Sequence, residues 1–282
     1  MSKENLFLSV SGGETSAFMA KLVIDHYGEQ FNIVTGFANT GQEREETLAF
    51  VNRCDKEWGL NVVWLEADVN PAKGQGTGHK IVSFETANRN GSVFESMIAK
   101  YGLPNMSYLH CTRELKLQPI TSYLRSIGWK AGTYTTAIGI RADEIDRMDE
   151  NFKAKRFWYP LVEHGITKTI IKLWWAQQAF RLGLKEHQGN CTWCWKKTDR
   201  KHFTLMQETP EIYNFPIAME AKYSMVGSKD GNPRSLFRKG RTTLDMFRES
   251  KKPFSPFVEH DYLAQGELDI TNGCTDSCEA FA

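Results

Sequence analysis

Apolar and polar positions alternate in two rhythms along the first half of the chain. Leu6 to Val10 is an unbroken strand-like run; Glu14 to His26 then carries Ala17, Met19, Ala20, Val23 and Ile24 at helical spacing, and Phe31 to Ala38 returns to a strand pattern. Those three stretches predict one β-α-β unit. Glu45 to Trp58 reads as a second helix, Asn61 to Glu66 as a third strand and Tyr134 to Ile140 as a later one, with a Gly-rich loop over Pro71 to His79 and a short helix over Phe94 to Lys100 between them. Alternating strands and helices predict an α/β fold, a parallel twisted sheet with flanking helices. After Pro160 the strand signal fades. Thr167 to Leu182 has a helical pattern that includes Trp174 and Trp175, and the remainder is polar, aromatic and rich in turns. The expected division is an α/β domain over residues 1–165 and a smaller helical, cysteine-containing region over residues 166–282. No internal repeat or low-complexity segment interrupts it.

Composition changes this picture only by exclusion. The 282 residues, 41% hydrophobic and 24% charged, suffice for a substantial buried core. The net charge is +1, so affinity for nucleic acid has to arise in local patches rather than from the overall field. There is no leader-like apolar stretch and no apolar run of about 18 residues, which predicts a soluble, cytoplasmic protein with no membrane contact. In that setting the six cysteines read as thiols, metal ligands or redox groups rather than a disulfide framework.

The junction LFLSVSGGETSAFM places two glycines where a strand passes directly into a helix. Such a turn aims free backbone N–H groups, at the positive end of a helix dipole, towards an anion that glycines allow to come close. Ser11, Thr15 and Ser16 add hydroxyls. The spacing predicts an oxyanion, most simply a phosphate, above the carboxyl edge of the sheet; an ordinary tight turn is the alternative. Neither GxxxxGK[ST] nor GxGxxG is present.

Cys191 and Cys194 form a CxxC turn, a spacing that lets two thiolates converge on one metal; reduced structural thiols or a redox pair are the alternatives. Cys111 precedes a predicted helix with Arg113 and Lys116, Cys274 and Cys278 lie near the end of the chain, and Cys54 reads as a packing residue. Lys196, Lys197, Arg200, Lys201 and His202, and then Arg234, Arg238, Lys239 and Arg241, form basic clusters that suit either a phosphate-rich partner or a solvated face. Trp193, Trp195, Phe203, Tyr213 and Phe215 suit base stacking or, more simply, the core of a small domain.

These motifs carry a resemblance. SGGETSA resembles the pyrophosphate-binding (PP) loop of the adenine-nucleotide alpha-hydrolase superfamily. FANTGQEREETLAFV, CTRELKLQPI and GIRADE are similar to the NTG segment, the Cys-basic-Pro helix and the later nucleotide-site strand of phosphoadenosine phosphosulfate (PAPS) reductase-like proteins. WYPLVEHGITK with GNCTWCWKK resembles the phage and bacterial branch of that family. The resemblance implies that Ser11, Gly12, Gly13, Thr15 and Ser16 cradle the phosphates of ATP or PAPS, and that Asn39, Thr40 and Gly41 line the adenosine pocket. It implies catalytic roles for Arg141, Asp143 and Glu144, a phosphate-pairing guanidinium beside carboxylates for Mg²⁺; a surface salt-bridge cluster is the competing account. It further implies a [4Fe–4S] cluster held by Cys111, Cys191, Cys194 and Cys274, with Cys278 the alternative fourth ligand and Zn²⁺ the alternative metal. One position departs from the pattern: Thr15 stands where many members that form an adenylyl intermediate have Asp, and a hydroxyl does not supply that carboxylate charge to Mg²⁺.

Three functions are compatible with this reading. The first is ATP-dependent activation followed by sulfur transfer to a nucleic acid or small molecule, as in relatives that thiolate tRNA or DNA. The second is a PAPS or adenylyl sulfate reductase, although the ending GCTDSCEAFA lacks the ECG-type pattern of those enzymes. The third is a non-catalytic nucleotide or nucleic-acid binding module of phage–host conflict. A homodimer is left open by all three.

Overall fold

The computed structural model describes residues 3–228, 231–258 and 280–281. Strand β1 (Glu4–Val10) passes through the Gly pair into helix α1 (Glu14–Tyr27), and β2 (Phe31–Asn39), α2 (Glu45–Trp58) and β3 (Val62–Val69) follow. The loop expected over residues 71–79 is shorter than its glycines suggest, because Thr77–Val82 forms β4, antiparallel to β3 on the sheet edge. Then come α3 (Ser92–Tyr101), a helical stretch over 110–126 (α4), β5 (Tyr134–Ala137) and the two-residue β6 (Phe157–Trp158). The six strands lie in the order β4-β3-β2-β1-β5-β6, and every pairing except β3–β4 is parallel. The α/β expectation therefore holds.

Both faces of the sheet are covered, which is why β1 reads as a continuous apolar run rather than an alternating one. Leu6, Leu8 and Val10 pack with α1 and α2, while Phe7 faces Ile120, Leu124 and Trp129 on the other side. Ala280 and Phe281 join that second face, with the Phe281 ring 6.1 Å from Phe7 and 5.8 Å from Phe157. Within α4, Arg113–Leu117 forms a π-helical turn immediately before Pro119. Proline has no N–H to donate four residues back and its ring crowds that carbonyl, so the wider turn accommodates it.

Packing runs across residue 165. After the short α5 (Pro160–Glu163), helix α6 (Lys168–Ala176) docks on α1, and its Ile171 and Trp175 belong to the same core as Leu6, Met19 and Phe50. The helical pattern that extends to Leu182 in the sequence ends as helix at Ala176, and Phe180 and Leu182 continue that core without helical backbone. A second apolar cluster joins Phe94, Met97, Ile98 and Leu115 to Trp193, Trp195, Tyr213 and Phe237. It also takes in helices α7 (Asp199–Glu208), α8 (Asn214–Tyr223) and α9 (Thr243–Ser250).

Candidate functional site

Strand order reverses at β1: β2 lies on one side of it and β5, reached much later in the chain, on the other. Open α/β sheets leave a crevice for ligands at the carboxyl ends of the strands flanking such a point. Here the crevice is bounded by the Ser11–Gly12–Gly13 turn after β1 and by Gly139–Ile140–Arg141 after β5. The two come close: a Cβ on Gly139 would lie 3.1 Å from the Ser16 Cα.

The two glycines of the turn do different work. Gly12 has φ +88°, and a Cβ there would meet Thr47 Cγ2 at 2.5 Å, so this position is glycine because α2 packs against it. Gly13 is the N-cap of α1 with φ −95° and ψ 160°, a conformation open to any residue, and it brings no side chain to the helix start. The first-turn N–H groups of α1 have no intrahelical acceptor. Ser16, fully buried, is spent inside the turn: its Oγ donates to the Gly13 carbonyl at 3.1 Å and accepts from the Ser11 N–H and Oγ at 3.0 Å each. Thr15 Oγ1 instead lies 3.5 Å from Arg141 Nη1.

Arg141 is 4% exposed, whereas the Asp143 side chain is 34% exposed. Its guanidinium meets Asp143 at 3.1 Å and Glu144 at 3.3 Å, and Glu144 also holds Arg147 at 2.6 Å. The carboxylates thus fix a buried cation at the lip of the crevice. At the end of β2, Asn39 is completely buried and saturated: its Nδ2 donates to Glu66 (2.6 Å) and the Asn88 carbonyl (2.9 Å), and its Oδ1 accepts from the Gly41 N–H (3.1 Å). Thr40 gives both its N–H and its hydroxyl to Glu43 Oε2, each at 2.8 Å. Asn39, Thr40 and Gly41 therefore stand at the expected edge, with their side-chain polar atoms holding the loop in shape. Glu43 and Glu66 carry this loop and have no sequence signature of their own.

The CxxC turn is strapped onto the same edge. Asn190 Nδ2 donates to the Ser11 carbonyl (3.0 Å), the Arg44 N–H to the Asn190 carbonyl (2.9 Å) and the Thr192 N–H to the Gln42 carbonyl (3.0 Å). Cys191 pairs with Glu43 through the backbone, and Trp193 Nε1 donates to Gln42 Oε1 at 2.6 Å. Burial pushes the Cys191 thiol well above its ordinary pKa, and Cys194 and Glu43 add to the effect against Lys197 and Lys116. Burial likewise pulls the Arg44 guanidinium down, and its Nε and one Nη are buried without a hydrogen-bond partner among the described residues. The basic clusters read from the sequence are largely internal braces. Lys197 Nζ donates to the Cys191 carbonyl (2.5 Å), Lys201 Nζ to the Glu186 carbonyl (3.3 Å), and Arg241 pairs with Asp199 (2.7 Å) and Glu249 (2.5 Å). Trp193, Trp195 and Tyr213 are core, with Phe203 and Phe215 packed against them.

Three thiols are suitable donors for a soft metal, and Cys111 packs against the cluster that contains Trp193 and Trp195, the neighbours of Cys194. Among the described residues, however, no group of three His, Cys, Asp or Glu side chains is arranged to hold an ion, and Cys274 and Cys278 lie outside the described residues. The described residues alone do not make a metal site. Cys54 is buried in the first core, as expected of a packing residue. No helix among the described residues is long and apolar enough to cross a membrane.

No family model matches the chain. It is 31% identical over 285 aligned positions to the uncharacterized nin region protein ORF290 of Escherichia phage lambda, covering 97% of this chain and 94% of that protein. It is also 24% identical over 122 positions to the uncharacterized protein MJ0066 of Methanocaldococcus jannaschii, covering 43% of this chain and 20% of that protein. Neither relative's name states an activity.

Proposed function

The chain belongs to the family of the phage lambda nin region protein ORF290, and we propose that it is an enzyme that binds an adenine nucleotide across the β1–β5 crevice, activates a substrate with it and passes sulfur to an acceptor. The observation that carries this reading is the meeting of the uncapped α1 N-terminus with the buried Arg141 at the point where strand order reverses. Backbone N–H groups and a guanidinium aimed at one place are a site for an oxyanion in which charge builds up. In the reaction proposed, a substrate oxygen attacks the α-phosphate of ATP, pyrophosphate leaves, and a sulfur nucleophile then displaces AMP. Arg141 and the α1 N-terminus neutralise the phosphate. Asp143 and Glu144 orient Arg141. The sulfur half of the proposal is supported by Asn190, the residue before Cys191, which hydrogen-bonds to the Ser11 carbonyl of the phosphate turn.

The test is titration calorimetry of the folded protein with ATP, AMP and PAPS, followed by product analysis. Wild type binds ATP and converts it to AMP and pyrophosphate when acceptor and sulfur donor are present. Gly13→Val, at a backbone conformation open to any residue, is expected to lose binding, with circular dichroism checking that the sheet is retained. Absence of binding to all three nucleotides would remove the site. Rapid thiol-dependent sulfite release from PAPS would make the protein a sulfonucleotide reductase instead.

A further inference from the structure

Where the end of α3 meets the start of α4, three aromatic rings form a row. His110, the first residue of α4, has its ring 5.7 Å from that of Tyr108 at an interplanar angle of 17°. It lies 5.7 Å from Tyr101, the last residue of α3, at 31°. Near-parallel rings at that spacing are offset rather than superposed, so they make steps and not a closed sandwich. All three are half-buried. Each end of the row carries a guanidinium: Arg234 lies 3.9 Å from the centre of the Tyr108 ring, and Arg113 5.7 Å from that of Tyr101.

The row is held in shape before any partner arrives. Asn105 and Tyr108 exchange backbone hydrogen bonds of 3.0 and 3.1 Å, and Asn105 Nδ2 donates to the Ser235 carbonyl at 3.0 Å. Arg234 donates to the Tyr101 carbonyl (3.4 Å) and to the Gly227 carbonyl. Gly102 leaves room for it, since a Cβ there would stand 2.8 Å from Arg234 Nη1. Among the described residues the partners of Arg234 are carbonyls and a ring, so no carboxylate cancels its charge. Arg113 meets Glu114 at 2.6 Å, but that buried carboxylate also accepts from Thr77, and the Arg113 side chain is 52% exposed. Burial, then Arg113 and Arg234, hold His110 below its ordinary 6.5 against the pull of Glu114, so the ring is uncharged at neutral pH. On the same loop Met106 and Leu109 are 60% and 49% exposed.

A row of ring faces with a cation at each end suits a partner that presents flat π-faces and negative charges side by side. An unpaired nucleic-acid strand does so. A duplex hides its base faces and offers phosphates alone, and an acidic peptide has the charge without the faces. We propose that the Tyr101–His110–Tyr108 row is a docking platform for single-stranded nucleic acid, with bases on the rings and phosphates on Arg113 and Arg234. This surface is separate from the β1–β5 crevice and does not depend on what the crevice binds.

The experiment is fluorescence anisotropy of the full chain with labelled DNA and RNA strands of about 12 residues and with the matching duplexes. The buffer contains no ATP or PAPS, so the outcome is independent of the nucleotide site. The single strand is expected to bind about tenfold more tightly than the duplex, one stacked base's worth. Tyr108→Leu keeps apolar bulk and loses the π-face; it should weaken single-strand binding about tenfold and leave duplex binding within about twofold. Arg113→Gln should lower the slope of log affinity against log salt by about 0.7, one phosphate's worth on a single strand. On the wild type, photo-crosslinking with a strand containing 5-bromouracil should label peptides that carry Tyr101, Tyr108 or His110, a measurement that needs no variant. No binding of either strand, or a duplex bound as tightly as the single strand, would overturn the platform. So would unchanged affinity in a Tyr108→Leu variant whose unfolding midpoint matches wild type, or crosslinks confined to other surfaces.

Discussion

Replacing Trp175 with alanine tests whether the segment after residue 165 is part of the nucleotide-site core. Trp175 is fully buried on α6, with ring centroids of Phe50 at 5.1 Å, Trp58 at 5.6 Å, Phe180 at 5.8 Å and Trp174 at 4.8 Å. Its Nε1 donates to the Glu14 carbonyl in the first turn of α1 at 3.0 Å. A buried tryptophan removes roughly 150–250 Å² from water, which at about 25 cal/mol per Å² corresponds to ~4–6 kcal/mol. Incomplete collapse around the truncated side chain keeps the measured cost of such changes near ~3–5 kcal/mol. That is a large share of a total stability of about 5–15 kcal/mol, and at roughly 2–4 °C per kcal/mol the melting temperature falls by about 6–20 °C. Urea unfolding followed by far-ultraviolet circular dichroism reads the whole sheet, so the midpoint should move with an unchanged slope. Trp175→Phe keeps most of the packing and loses the donor, and should cost only about 1 kcal/mol. If Trp175→Ala leaves the sheet transition within about 1 kcal/mol of wild type and loosens only the chain beyond residue 165, α6 is not part of this core and the argument fails.

Gly12→Ala places a Cβ 2.5 Å from Thr47 Cγ2 at φ +88° and should cost about 1–3 kcal/mol in urea unfolding, whereas Gly13→Ala, at φ −95°, should cost well under that. Iron and zinc analysis of anaerobically purified protein decides whether the thiols hold a metal. If they do, Cys194→Ser lowers the metal content and speeds proteolysis after residue 165 while Cys54→Ser does neither; metal-free wild type leaves Cys111, Cys191 and Cys194 as thiols. Glu208 is held below its ordinary 4.5 chiefly by the hydrogen bond from His187, helped by Lys185 against its partial burial. Its stabilisation is therefore present above the ordinary carboxylate value and is lost as pH falls through the lower folded value. Glu208→Gln should flatten the stability profile below the ordinary carboxylate value, and an unchanged slope would remove that pair from the acid limb.

The part of the fold legible in the sequence is the part whose strands are buried on both faces. LFLSV and the carboxyl half of β2 are buried and mostly apolar because helices cover each side, and Glu45–Trp58 matches its helix to the residue. β4 was hidden because TGHKIV is an edge strand whose glycine and polar residues read as loop, and β6 because two residues carry no period. The chain around residue 165 is hard to read for a related reason. Aromatic density after Pro160 looks like the start of a separate small core, yet Trp174, Trp175 and Phe180 pack back onto α1 and α2. At the site, SGG and GIRADE were legible because a turn and a buried arginine need those residue types. Asn190 was not, since asparagine is an ordinary loop residue until the fold brings it to the turn after β1.

Hydrogen–deuterium exchange with and without saturating Mg²⁺-ATP reports where a ligand is held rather than only that it binds. Slowed exchange is predicted in segments 10–17, 39–44, 138–144 and 185–192, the turn after β1, the loop after β2, the Arg141 segment and the strap carrying Asn190. ATP that binds while leaving segments 10–17 and 138–144 unchanged, or that protects an unrelated surface, would contradict a nucleotide site at the β1–β5 crevice.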